Sequence, residues 1–248
     1  MKREIVIDKN KCIHCGMCIR DCITSCIEFG SDNFPVYNGD NCFECQHCMA
    51  ICPAGALSFG GVNPANLEAT GYANSDDLLR LIKSRRSVRQ YKNENIPTEI
   101  FEKIKNMLPY APTGCNVDGL HFSFIETKEK MQEFRDLAQE KGLNSNFIFR
   151  TATAMIAVAV DKSKSLEVCQ SVDPVIALSY IDLYAQSLGL GTLWCGLAYD
   201  VAMKVPEMYS LFEIPQGYTL GYVMLLGIPA VKYQRTTKPD AWSIKELR

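Results

Sequence analysis

Beyond residue 75 the chain carries apolar positions at two spacings, one helical and one extended. Ser75-Asp76-Asp77 opens a helix with two acids in its first turn, and Leu78, Leu79 and Ile82 share one face. Thr98-Glu99 opens a second, striped by Ile100, Ile104 and Leu108. A third spans 127–141 and is closed by Gly142, the residue type that tolerates the left-handed turn past a helix end. Asp173-Pro174 starts a fourth, with proline at the first helical position and Gly189 beyond its end. Its Val175, Ile176, Ala177, Leu178, Ile181, Leu183, Tyr184 and Leu188 lie on most sides, which predicts burial in the core or in a subunit interface. Strands are predicted at 121–126, 154–160 and 219–226. Intermixed helices and strands predict an α+β domain over residues 75–248. Before residue 60 only short apolar pieces occur, such as Ile5-Val6-Ile7, and Gly60-Gly61-Val62-Asn63-Pro64 opens a non-periodic stretch to Asn74. The predicted organisation is therefore a small domain at 1–60, a linker at 61–74 and a larger domain at 75–248.

Composition adds two constraints. The 248 residues are 47% apolar and 22% charged, enough for a sizeable core. Lys and Arg number 26 against 28 Asp and Glu, a net charge of −2, so the basic footprint of a nucleic-acid binder is missing. Five basic and seven acidic residues fall in 1–60, whereas the rest carries 21 of each. Of 12 cysteines, nine lie between Cys12 and Cys52. The start MKREIVIDKN has no apolar stretch of signal-peptide length, and the longest apolar run, around 155–160, is far short of the ~18 residues of a membrane span. A cytoplasmic chain without a membrane partner is expected, with cysteines serving something other than disulfides.

The cysteines form two runs, Cys12-x2-Cys15-x2-Cys18-x3-Cys22 and Cys42-x2-Cys45-x2-Cys48-x3-Cys52, the second followed by Pro53. Zinc knuckles pair CxxC units across ~12–20 residues, a looser pattern than this doubled run. Nearly all of residues 1–60 resembles a two-cluster bacterial ferredoxin, in which the fourth cysteine of each run ligates the other cluster. The resemblance implies one [4Fe–4S] cluster on Cys12, Cys15, Cys18 and Cys52, and another on Cys42, Cys45, Cys48 and Cys22. It leaves Cys26 as a small buried residue and His14 and His47 without a ligand role. Ile23 stands where that family has proline.

Ser84-Arg85-Arg86-Ser87-Val88-Arg89 follows the first predicted helix of the larger domain. By composition alone it is equally a solvated helix end, since cations favour that position. It resembles the entry motif of the nitroreductase family, whose side chains hold the phosphate of FMN, a task suited to bidentate guanidinium groups. Ala111-Pro112-Thr113-Gly114-Cys115-Asn116 resembles the family's loop that reaches the flavin of the partner subunit. The segment 189–196, GLGTLWCG, resembles the segment lying along the isoalloxazine ring, and Leu226-Gly227-Ile228-Pro229 resembles the turn before a basic residue returns to the phosphate. Arg235 is the first choice for that residue and Lys232 the second. The four motifs occur in family order. After Asn116 comes Val117-Asp118-Gly119-Leu120-His121, a departure on the substrate side.

The resemblance implies an FMN-binding homodimer whose flavin contacts are Arg85, Arg86, Ser87, Arg89, Pro112, Thr113, Gly114, Asn116, Leu193, Trp194, Cys195, Gly196 and Lys232 or Arg235. It also implies flavin-based chemistry without a catalytic side chain. Cys195 is expected to pack and contact backbone, Cys115 and Cys169 to be buried thiols, and His121 to be structural. Clusters pass single electrons and flavins also deliver hydride. The expected function is thus an oxidoreductase charged by a low-potential, ferredoxin-like donor that reduces a small organic acceptor, nitroaromatic or quinone-like. The alternatives are an NAD(P)H-oxidising flavoprotein exporting electrons through its clusters, and a non-enzymatic electron carrier.

Overall fold

The computed structural model describes residues 3–39 and 41–247. The outermost residues of the two expected domains (1, 2 and 248) lie outside that set. The chain forms two compact units, one reaching Tyr72 and including Cys115–Val117, the other made of Ala73–Gly114 and the chain from Asp118 onward. The segment expected as a linker holds a single 3-10 turn, Pro64–Asn66, capped by the Asn63 side chain. Among the described residues no helix is long and apolar enough to cross a membrane.

In the first unit β1 (Ile5–Ile7) pairs antiparallel with β4 (Leu57–Phe59), and β2 (Ile27–Phe29) with β3 (Pro35–Tyr37). Each cysteine run feeds a short helix, α1 (Met17–Asp21) or α2 (His47–Ala50). The second run repeats the first at an offset of 30 residues, and the backbone repeats with it. His14 and Glu44 take φ of 58° and 53°, and Gly16 and Gln46 take 68° and 61°. Left-handed positions on both sides of the middle cysteine curl each run into a tight loop. The core beneath is small: Ile5, Cys18, Ile27, Met49, Leu57 and Phe59.

The second unit is built on an antiparallel sheet in the order β5 (Leu120–Ile125), β6 (Ala154–Asp161), β8 (Tyr218–Gly227), β7 (Gly191–Trp194). All eight positions of β6 are buried, because helices cover both faces. Ala154, Ile156 and Val158 meet the layer containing α4 (Thr98–Met107) and α7 (Asp173–Ser187). Met155 and Ala157 meet the layer of α5 (Lys128–Glu140), α6 (Ser145–Phe149), α8 (Gly196–Lys204) and α9 (Pro206–Ser210). The period-two alternation of a strand thus splits one apolar run between two cores. The α+β fold and the strands expected at 121–126, 154–160 and 219–226 are present.

Several expectations need correction. The first helix of this unit, α3 (Ser75–Ser84), is capped by Asn74, whose side chain accepts from the N–H groups of Asp76 and Asp77. Asparagine caps as well as serine, and it lies one residue earlier. The Leu78, Leu79 and Ile82 face of α3 is 45–48% exposed, so the described residues cover it only in part. Helix α7 is not buried all round: Ala177, Leu178, Ile181 and Ala185 are, but Val175 and Tyr180 are 39% and 45% exposed. Strand β7 and helices α6, α8 and α9 had no counterpart among the predicted elements. Each is short, and what stabilises it is tertiary contact (pairing with β8 for β7, packing on α5, β8 and one another for the helices) rather than its own periodicity.

Candidate cofactor sites

Two pockets of the first unit sort the eight run cysteines. One is lined by Cys12, Cys15, Cys18 and Cys52. The other is lined by Cys22, Cys42, Cys45 and Cys48, with Cys26 alongside. Each set takes three thiols from one run and the last thiol from the other. Among the described residues no three His, Cys, Asp or Glu groups converge on a point that would hold a single metal ion.

Backbone amides already point at the sulfurs. The N–H groups of Cys26 and Ala56 donate to the Sγ atoms of Cys22 and Cys52, each at 3.3 Å, and Glu44 N–H donates to Cys42 Sγ at 3.3 Å. Such donors stabilise thiolate charge. Burial acts to raise the Cys22 thiol, but hydrogen bonds from Thr24 and nearby amides outweigh it and leave it below its ordinary value. Burial pushes Cys48 up to about 11 and raises Cys18, the latter with help from the neighbouring Cys52. Thiols raised by burial beside one another favour a bound cation that neutralises them. The Tyr37 hydroxyl is buried beside the Cys42 thiol, and burial followed by that contact drives its pKa well upward. Cys26 is buried, as expected. His14 bonds the Asn33 carbonyl through Nδ1 at 2.8 Å, and His47 Nδ1 lies 3.3 Å from Asp21.

In the second unit Arg85, Arg86, Ser87 and Arg89 line one open cleft of about 560 Å³, together with Tyr233 and Thr237 of the C-terminal tail. Arg86 donates to the Thr237 hydroxyl at 3.3 Å and to the Lys83 carbonyl at 2.9 Å. Lys232 and Arg235 lie on the same tail, exposed, outside that lining. The segment is more than a helix end, because it docks on the edge of the sheet. Ser87 bridges Thr192 of β7, and Val88 N–H donates to the Thr192 carbonyl at 2.9 Å. Gly191 permits that approach: a Cβ there would sit 2.8 Å from the Val88 side chain.

Beneath the cleft lies a buried carboxylate. Asp182 of α7 is 5% exposed. Its Oδ1 accepts from the Thr192 hydroxyl at 2.5 Å and from Gln186 Nε2 at 3.1 Å. Its Oδ2 accepts from the Trp194 indole at 3.0 Å and stands 3.6 Å from Arg85 Nη1. Leu193 and Trp194 are half-buried on β7, with Trp194 packed against Tyr222 at 5.7 Å between ring centroids. Cys195 is buried and caps α8, donating to the Ile148 carbonyl and accepting from Ala198 N–H, in keeping with the packing role expected of it. Gly196 opens α8.

The loop at 112–116 stands apart from this cleft. Gly114 N–H is held by Asp173, at the start of α7, whereas Asp182 and Gln186 lie toward its other end. The nine-residue separation along the helix from Asp173 to Asp182 is about 14 Å. Pro112 and Thr113 precede this anchor; Cys115 and Asn116 follow at φ of 55° and 56°, and Asn116 Nδ2 donates to the Phe43 carbonyl at 3.1 Å. Cys115 is exposed and Cys169 half-buried, so neither is the fully buried thiol expected. A left-handed turn lifts Cys115 outward, and Cys169 Sγ fills the space that a side chain at Gly114 would take. His121 packs edge-on against Tyr218 and lies 3.3 Å from Ser123 Oγ, a structural setting.

Sequence reasoning missed Asp182, Gln186, Thr192, Tyr233 and Thr237. One signal was available: a carboxylate in an otherwise apolar helix requires buried donors. The tail residues carry no such mark.

Comparison with known proteins agrees with this geometry. A model of a 4Fe-4S dicluster domain matches residues 8–56, and that of the nitroreductase family matches residues 82–228. A candidate NADH dehydrogenase/NAD(P)H nitroreductase of Methanothermobacter thermautotrophicus is 29% identical over 64% of this chain and 81% of its own. The crystal structure of a nitroreductase with bound FMN from Desulfitobacterium hafniense DCB-2 superposes with a TM-score of 0.58 at 28% identity, covering 71% of this chain and all of that one. A candidate NADH dehydrogenase/NAD(P)H nitroreductase from Bacteroides thetaiotaomicron superposes at 0.55 with 26% identity, over 69% of this chain and 95% of its own. The chain belongs to the nitroreductase family and carries a 4Fe-4S dicluster domain ahead of the family's α+β domain.

Proposed function

We propose that this protein is a cytoplasmic oxidoreductase that passes electrons between two [4Fe–4S] clusters and FMN and reduces a small organic acceptor, nitroaromatic or quinone-like. The observation that carries the reading is the sorting of eight cysteines into two four-thiol pockets. Cys12, Cys15, Cys18 and Cys52 would hold one cluster, and Cys22, Cys42, Cys45 and Cys48 the other. The inward amides suit sulfur-rich anionic groups. FMN, when bound, supplies the exchange between single-electron and hydride chemistry.

Arg85, Arg86, Ser87 and Arg89 would take the FMN phosphate, with Tyr233 and Thr237 closing the cleft and Lys232 or Arg235 nearby on the tail. Leu193, Trp194, Cys195 and Gly196 would lie along the ring, positioning it and keeping water away. Pro112, Thr113, Gly114 and Asn116 would serve the flavin of a second copy. That reading draws support from the separation of loop and cleft along α7. The part-exposed apolar faces of α3 and α7 support a homodimer that buries them.

A second reading has NAD(P)H as the donor and the clusters as the exit, and the descriptions of the relatives favour it. Anaerobic mixing with NADH, NADPH or reduced ferredoxin, following the flavin absorbance, separates the two. Bleaching by ferredoxin alone supports the first reading and bleaching by a nicotinamide the second. Failure to turn over any acceptor would leave an electron carrier.

A further inference from the structure

We infer that Asp182 is a positioning residue for phosphate recognition, acting through Arg85; this rests on the FMN reading of the arginine cleft. A carboxylate with 7% of its side chain exposed is costly in the middle of an apolar helix unless donors surround it. Here four groups do so. Thr192 and Gln186 occupy Oδ1, while the Trp194 indole and the Arg85 guanidinium share Oδ2. Gln186 Nε2 also lies 2.8 Å from Thr192 Oγ1 and 3.4 Å from the Arg86 carbonyl, so the frame extends into the backbone of the arginine segment.

Arg85 follows α3 directly and lines the cleft with its side chain 36% exposed. A guanidinium at such a junction has many rotamers, and ordering it costs binding free energy. The ion pair with Asp182, made through Nη1 alone at 3.6 Å, biases the guanidinium before any ligand arrives and leaves its donors for an anion. The same oxygen holds Trp194 on β7, so one carboxylate sets the phosphate-binding arginine and the aromatic residue beside it in a common frame.

The proposal has a sign that simple electrostatics opposes. A carboxylate 3.6 Å from the arginine would repel a phosphate dianion, so removing its charge should tighten binding if charge alone counted. If Asp182 positions Arg85, Asp182→Asn should weaken binding, because an amide gives up the charge that attracts Arg85, offers one acceptor oxygen to three donors and turns an N–H2 toward some of them.

The test is fluorescence titration of flavin-free protein with FMN and with riboflavin, which lacks the phosphate. In wild type, FMN should bind more tightly than riboflavin, and Arg85→Ala should remove most of that preference. Asp182→Asn should lower FMN affinity about tenfold while changing riboflavin affinity little, and should add nothing further in the Arg85→Ala background. Should Asp182→Asn not fold, Thr192→Val removes one donor from the same carboxylate and should reduce the FMN preference in the same sense. Unchanged or tighter FMN binding in the variant, with Arg85→Ala still harmful, overturns the role of Asp182. Equal loss of FMN and riboflavin affinity also overturns it, since that marks a general structural role. A wild type that binds FMN no better than riboflavin overturns the FMN reading itself.

Discussion

Gly114 donates its backbone N–H to both carboxylate oxygens of Asp173, at 3.2 Å each. Asp173 is 4% exposed in the first turn of α7, where the helix dipole favours its negative charge. One buried carboxylate thus joins the start of the long helix to the loop proposed to reach a partner's flavin. Asp173→Ala should lower unfolding stability by about 1–3 kcal/mol and weaken FMN binding by the assembled protein. Thermal unfolding and FMN titration of the same sample check both effects. Loss of stability with FMN affinity intact would confine Asp173 to a role in folding.

Gly191→Ala places a Cβ against Val88. The arginine segment should be pushed off β7, breaking the hydrogen bond from Val88 to Thr192, at a cost of about 1–3 kcal/mol. Val88→Gly in the same chain, which removes the Cβ as well as both methyls from within 2.8–2.9 Å, should recover part of the loss. Urea midpoints of the two single variants and the double variant measure this, and absence of rescue would place the strain elsewhere.

Protein prepared without oxygen should contain about eight irons and eight sulfides per chain. Cys45→Ser should reduce both to about half, by damaging only the cluster on Cys22, Cys42, Cys45 and Cys48. Stripping the iron should unfold the first unit, since six buried residues form its core. Iron analysis and circular dichroism before and after chelation are the readouts. Stoichiometric zinc in place of iron would contradict the cluster assignment.

Burial holds the His121 pKa below its usual 6.5. The folded state resists protonation, so the stability this residue contributes is complete above pH 6.5 and is lost as pH falls through the lower folded value. Between pH 7.5 and 5.5 the urea midpoint should fall more for wild type than for His121→Gln. Parallel curves would show that other groups govern that range.

Leu78 and Ile82 on α3 are 45% and 48% exposed in one chain. If a second copy covers them, Leu78→Glu with Ile82→Glu should shift sedimentation toward the monomer and release FMN at low protein concentration. A monomeric wild type that holds FMN tightly would contradict the dimer.

Much of this protein is written locally. Cysteine spacing places three thiols in each tight loop, helix caps such as Thr127 act within a few residues, and the alternation in β6 follows from the pleat of a strand. The arginine segment and the GLGT segment are legible for the same reason, since each is a short contiguous piece. What joins them is not. The meeting of Arg85 with Asp182, nearly a hundred residues away in sequence, depends on α3 and α7 packing together and on β7 lying at the sheet edge beside the 87–88 segment. No periodicity records a contact of that range, because its energy arises from burying a carboxylate among donors that come together only in the folded chain. The glycine at 191 carries the same lesson: its presence is visible in the sequence, but the reason for it is Val88, brought against it by the fold.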